Sequence, residues 1–143
     1  MEEMNMNNYS QYECLKIEKS EGLATVTLNR PDTRNAIDHQ FHVELKTIWN
    51  DLSSDKEVNA ILLTGSGRYF SIGGNIKGMQ SGRPGGDVVE EGEMLEPATG
   101  RRIIQNILDC DKPIICAING DCIGLAATIA LFCDVTVASE SGR

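Results

Sequence analysis

The chain has 143 residues, 41% of them apolar, which suffices for one ordinary domain with its own core. A formal net charge of −8 and a pI near 4.7 argue against nucleic acid as a partner, because phosphate backbones are bound through basic surface. No apolar run approaches the roughly 18 residues that span a bilayer, so no membrane partner is expected. Local basic residues can still meet a small phosphorylated ligand.

The first eleven residues, 1–11, are polar, carry no apolar signal-peptide core and read as a disordered lead-in. Alternating or apolar runs at Cys14 to Lys19 and Leu23 to Leu28, flanking Glu21-Gly22, predict a β-hairpin. Asp38 reads as the N-cap of a helix reaching Leu52, since Phe41, Leu45, Ile48, Trp49 and Leu52 recur at helical spacing. Ala60 to Thr64 has the length and composition of a buried strand. Ser81 to Gly100 is rich in glycine, with acidic residues at Glu90, Glu91 and Glu93, and predicts a mobile loop with a weak helix at Val88 to Leu95. Arg101 to Leu108 is a helix by spacing, broken at Lys112-Pro113. Ile114 to Ile118 is a strand, Gly124 to Phe132 a buried helix and Val135 to Ala138 a last strand. The order β, β, α, β, α, β, α, β predicts an α/β fold with mostly parallel pairing. A final apolar strand with nothing after it would leave a sheet face uncovered, which suggests that the chain stops short of a natural end.

Five cysteines (Cys14, Cys110, Cys116, Cys122, Cys133) form no CxxC pair and no Cys/His cluster, which predicts reduced, mostly buried thiols, no metal site and a cytoplasmic protein. The chemistry lies instead in two glycine-containing turns. Phe70-Ser71-Ile72-Gly73-Gly74-Asn75-Ile76-Lys77 and Asn119-Gly120-Asp121-Cys122-Ile123-Gly124-Leu125-Ala126-Ala127 each follow a strand and lead toward a helix. Such turns can aim the N–H groups of Gly74 and Leu125 at one point, as a thioester oxygen gaining negative charge requires. Each turn alone also reads as ordinary strand-to-helix punctuation; their pairing in this order is the specific feature.

With those turns, the stretches Ala24 to Pro31, Arg34-Asn35-Ala36-Ile37, Gly67 to Ile76, Lys112 to Leu125 and Phe132 to Val135 make the chain similar to the N-terminal half of the enoyl-CoA hydratase/isomerase (crotonase) superfamily. The resemblance runs from about Tyr12 to the end. It implies a spiral of ββα units in which 12–143 is the N-terminal part of a single domain, ending before the C-terminal helices. It also implies homotrimers or hexamers of the full-length protein, a role in fatty acid metabolism, and an acyl-CoA thioester as substrate. No separate cofactor is implied, since coenzyme A is part of the substrate. By position, Gly74 and Leu125 are the two oxyanion donors. Asn35, Ala36 and Ile37 border the coenzyme A, joined by Ile72, Ile76 and Lys77. Lys77 reads equally as a phosphate contact or as a solvated lysine.

One departure decides how far the resemblance reaches. The first of the two glutamates that handle water in a hydratase of this family falls at Thr128, and threonine holds its proton too tightly to act as a base without a partner. His39 and His42 lie on the first helix, Asp121 reads as a turn residue or a site acid, and Glu90, Glu91, Glu93 and Glu96 lie in a loop that would line the acyl pocket. The expectation is an enoyl-CoA hydratase/isomerase-like enzyme with Gly74, Leu125 and Thr128 in the catalytic positions. The alternative is a catalytically silent acyl-CoA binder or a CoA-thioester hydrolase.

Overall fold

The computed structural model describes residues 9–74 and 99–142. Alternation of inward and outward residues makes β1 (Leu15–Ser20) and β2 (Leu23–Leu28) an antiparallel hairpin, with Leu15 opposite Leu28 and Ser20 opposite Leu23. Its two-residue turn, Glu21 and Gly22, has both φ angles positive at 50° and 83°, the geometry that matches the twist of the flanking strands. α1 (His39–Ser54) starts where expected, because the Asp38 carboxylate accepts the Phe41 N–H at 2.9 Å. Phe41, Leu45, Ile48, Trp49 and Leu52 form its buried stripe. Glu44 is buried in the same stripe, where its carboxylate accepts the backbone N–H groups of Glu13, Cys14 and Leu15 and the side-chain amide of Gln40.

β3 (Ala60–Gly65), α2 (Thr99–Asp109), β4 (Ile114–Ile118), α3 (Leu125–Phe132) and β5 (Val135–Ala138) follow in the predicted order. The five strands form one sheet in sequence order, antiparallel only between β1 and β2 and parallel from β2 to β5. Parallel neighbours need crossover connections, and each one here lies beside the next. Ala24, Val26 and Leu28, Ile61 and Leu63, and Ile114 and Cys116 point inward from alternate strand positions onto the stripes of α1, α2 and α3. The glycine-rich loop and weak helix expected over Ser81 to Gly100 fall, up to residue 98, outside the described residues. All five cysteines are free thiols. Among the described residues no helix is long and apolar enough to cross a membrane.

The end of the lead-in departs from expectation. Tyr9–Gln11 form a short 3-10 turn rather than loose chain, because two tyrosines have partners on α1 and just beyond it. The Tyr9 hydroxyl donates to Asp55 at 2.6 Å and the Tyr12 hydroxyl donates to Asp51. The Lys19 ammonium, 2.9 Å from the same Asp55 carboxylate, completes the latch. Burial alone would push the Asp55 carboxyl up, but the Tyr9 hydroxyl, the Lys19 ammonium and the Glu57 N–H outweigh it and hold it below its ordinary value. A lowered folded pKa gives stabilisation that is complete above the unfolded value, about 4, and is lost as pH falls through the folded one. The protection of residues 9–13 against hydrogen exchange, taken relative to the intrinsic rate at each pH, is therefore expected to fall below about pH 4. Tyr9→Phe removes one of the bonds that hold the pKa down and should move that release to higher pH. An unshifted release would rule out the latch.

At the other end, β5 is exposed along its whole length, with Val135 53% and Val137 54% accessible beside Leu131 at 80%. The uncovered strand expected from the sequence is therefore present. A cleft of about 270 Å³ opens next to it, lined by Ile118, Cys122, Ala127, Ala130, Leu131 and Thr136 among others.

Candidate active site

The site begins with two asparagines that grip one turn. Asn35 follows β2 in the left-handed region, at φ 54°, beside Arg34 at 57°. Its side chain is fully buried: the amide donates to the carbonyls of Ser66, Tyr69 and Phe70 at 3.1, 3.1 and 3.0 Å, and its oxygen accepts the Arg30 N–H at 2.8 Å. Asn119, just after β4, holds the same turn from the other side. It accepts the Gly65 N–H at 3.0 Å and donates to the carbonyls of Gly67 and Tyr69. The turn that launches Phe70 to Gly74 is thus fixed by two side chains 84 positions apart.

Residues 70–74 then run between two other extended stretches. On one side the Ile72 N–H donates to the Arg34 carbonyl at 3.2 Å, and the Ile37 N–H donates to the Gly73 carbonyl at 2.7 Å. On the other side the N–H groups of Phe70 and Ser71 both donate to the Asp121 carbonyl, and the Ile123 N–H donates to the Ser71 carbonyl at 3.0 Å. The two glycine turns are therefore neighbours in one small sheet. At their ends the backbones touch. Gly73 sits at φ 80°, and a Cβ there would lie 2.5 Å from the Ile123 carbonyl oxygen and 3.5 Å from the Gly124 Cα. A side chain at Gly73 would push the turns apart, so glycine is required twice over, for its φ and for the approach.

The bond bridging Ile37 and Gly74 runs from the Ile37 N–H to the Gly73 carbonyl, and leaves the N–H of Gly74 out of it. Gly74 is half-buried. Leu125 is the first residue of α3, and its N-cap Gly124, at φ 62°, supplies no side-chain acceptor. Its N–H is one of those that a helix start leaves without an intrahelical partner, where the helix dipole is positive. Thr128, one turn on and exposed, gives both its N–H and its hydroxyl to the Gly124 carbonyl, at 3.1 and 3.3 Å. Of the residues expected to border coenzyme A, Asn35 and Ile37 are fully buried while Ala36 and Ile72 are half-buried. Ile76 and Lys77 lie outside the described residues. Burial pushes the Cys122 thiol up to about 11, away from the thiolate form.

The family model described as enoyl-CoA hydratase/isomerase matches residues 18–143. The chain belongs to the enoyl-CoA hydratase/isomerase family. A Rhodobacter capsulatus protein named "Probable enoyl-CoA hydratase" is 36% identical over 133 residues, 91% of this chain and 48% of that protein. The Escherichia coli 1,2-epoxyphenylacetyl-CoA isomerase is 31% identical, over 85% of this chain and 46% of its own length. The crystal structure of an enoyl-CoA hydratase/isomerase from Mycobacterium paratuberculosis matches 90% of this chain and 50% of its own, with TM-score 0.78 and 28% identity. The chain spans about half the length of the curated relatives it matches.

This enoyl-CoA hydratase/isomerase family member carries one feature that sequence reasoning missed. The guanidinium groups of Arg34 and Arg68 lie 5.6 and 5.8 Å from the centroid of the Tyr69 ring. Both arginines are exposed, and among the described residues no carboxylate pairs with either. Two like charges gathered on one ring, in a chain of net charge −8, form a local anion-attracting patch beside the site. The available signal was Arg68 preceding an aromatic residue in a turn. Arg34 joins it only through the fold.

Proposed function

We propose that the chain supplies the acyl-CoA-binding and oxyanion-stabilising part of an enzyme acting on acyl-CoA thioesters. The observation that carries this reading is the backbone contact between Gly73 and Ile123-Gly124, immediately ahead of the two candidate donors, Gly74 and Leu125. Negative charge building on a thioester oxygen would meet two preorganised N–H groups, one of them at a helix start, which costs no reorganisation when the charge appears. The stretch Asn35, Ala36, Ile37, with Ile72, Ile76 and Lys77, would border the coenzyme A, and the paired Arg34 and Arg68 would face its phosphates. The chemistry is double-bond isomerisation or hydration, in a cytoplasmic homotrimer or hexamer of the full-length protein, with no cofactor beyond the coenzyme A of the substrate.

Thr128 favours a second reading. Its hydroxyl is tied to the Gly124 carbonyl and cannot replace a glutamate as base, so the protein would be a silent acyl-CoA binder or a thioester hydrolase. Saturating crotonyl-CoA is expected to stabilise the protein, by about 2.7 kcal/mol at a hundredfold excess over Kd, and to be converted. Binding without conversion of crotonyl-CoA and related thioesters selects the silent binder. Release of free thiol selects the hydrolase, and no stabilisation by any CoA ligand removes all three.

A further inference from the structure

We propose that Ser71 is a positioning residue that sets the relation between the two backbone donors, an inference that rests on the proposed function. Ser71 is fully buried, and every polar group it owns is committed across the site. Its hydroxyl donates to the Asn35 carbonyl at 2.6 Å and accepts the Gly73 N–H at 3.0 Å. Its own N–H donates to the Asp121 carbonyl and its carbonyl accepts the Ile123 N–H, both at 3.0 Å. One residue therefore joins all three stretches that build the site.

The division of labour follows from which bonds belong to the side chain. The main-chain pair fixes Ser71 to the second turn, two residues before Leu125, and survives any substitution that keeps the backbone. The hydroxyl controls the first turn. Gly73 is buried at φ 80°, where its N–H has left the regular ladder, and the Ser71 oxygen is the acceptor that holds it. Gly74 is the next residue, so rotation about Gly73 re-aims the Gly74 N–H directly. The Asn35 carbonyl locks the hydroxyl from behind, which makes its orientation single-valued. Without the hydroxyl, the buried Gly73 N–H and Asn35 carbonyl both lose their partner. The first donor then swings relative to the second.

The test compares Ser71→Ala with Asn106→Ala in the full chain, with crotonyl-CoA as the probe. Asn106 donates to the Lys46 carbonyl at 2.7 Å, tying α2 to α1 and none of the three stretches that build the site, so its loss reports stability. Ser71→Ala is expected to lower kcat by roughly ten- to a hundredfold with KM changed less than about twofold, as for a displaced rather than deleted donor. The carbonyl stretch of the bound thioester, read by difference infrared spectroscopy, should move back toward its value in water. Ser71→Cys, which keeps a weak donor and acceptor, should recover part of both effects. It carries the same comparison should the alanine variant fold poorly. Asn106→Ala should lower Tm and leave kcat and the stretch unchanged. The assignment is overturned if the Ser71 variants lower Tm but keep wild-type kcat and wild-type carbonyl polarisation. If the wild-type protein binds the thioester and neither polarises nor converts it, the proposed function fails first and the role of Ser71 falls with it.

Discussion

Leu125→Pro is expected to leave the fold standing and to lower kcat by about 10²- to 10³-fold, the usual cost of one lost oxyanion donor. The position suits proline. Leu125 opens α3, where the ring's fixed φ matches the helix and where the missing N–H has no intrahelical acceptor to lose. Gly124 before it has no Cβ to clash with the ring. The half-buried leucine side chain gives up some packing, so Tm should drop by a few degrees at most. Gly74→Pro removes the other donor and should have a similar effect on kcat. It is the harsher variant, because proline also restricts the Gly73 before it, which sits at φ 80°. Leu125→Ala and Gly74→Ala keep their N–H groups and supply the controls. Steady-state rates on crotonyl-CoA, with Tm measured alongside, decide the matter. A folded Leu125→Pro protein that turns over at the wild-type rate shows that this amide is not a donor.

What could be read in the sequence divides by the range of the interactions involved. The Asp38 cap and the hydrophobic stripe of α1 are set within a few residues, so spacing alone placed that helix. The Glu21-Gly22 turn and its flanking alternation likewise specify the hairpin register, because a slip of one residue would turn Val26 and Ala24 out of the core. The turn glycines were visible as well, and their pairing predicted that the two turns serve one point, but the backbone contact that joins them was not legible. Gly73 and Gly124 are 51 positions apart, and only the parallel stacking of β3 against β4 carries their turns into contact. Distance also hid the Tyr9 and Tyr12 latch. Its partners sit some forty residues on, at Asp51 and Asp55, so a polar start read as loose chain.

The same reasoning explains why Asn35 was legible as a site residue while its physical work was not. Its position in the Arg34-Asn35-Ala36-Ile37 stretch pointed to the coenzyme A border. Its side chain, however, is spent on three carbonyls 31 to 35 residues further along, and none of it faces solvent. Its main chain is paired as well, the N–H with the Arg30 carbonyl and the carbonyl with the Ser71 hydroxyl. Thr128 is the converse case. The residue type alone removed the glutamate chemistry, and the structure adds that its hydroxyl is turned back on its own helix.

Asn35→Ala should then be among the most destabilising single changes in this chain. It leaves the half-buried Arg30 N–H without its acceptor and takes one donor from three carbonyls, at up to about 1–3 kcal/mol for each group left unsatisfied. It also puts alanine at φ 54°, a region that asparagine tolerates and alanine does not. Asn119 still holds the Tyr69 carbonyl and cushions part of the loss. A net cost of ~2–4 kcal/mol follows, which for a domain of this size lowers Tm by roughly 5–15 °C. Asn35→Asp is expected to be no better, since it keeps the acceptor but sets a carboxylate against three carbonyl oxygens. Thermal unfolding of both variants beside Asn119→Ala tests the ranking. If Asn35→Ala melts within a degree of wild type, the turn that carries Phe70 to Gly74 is held by something other than this side chain.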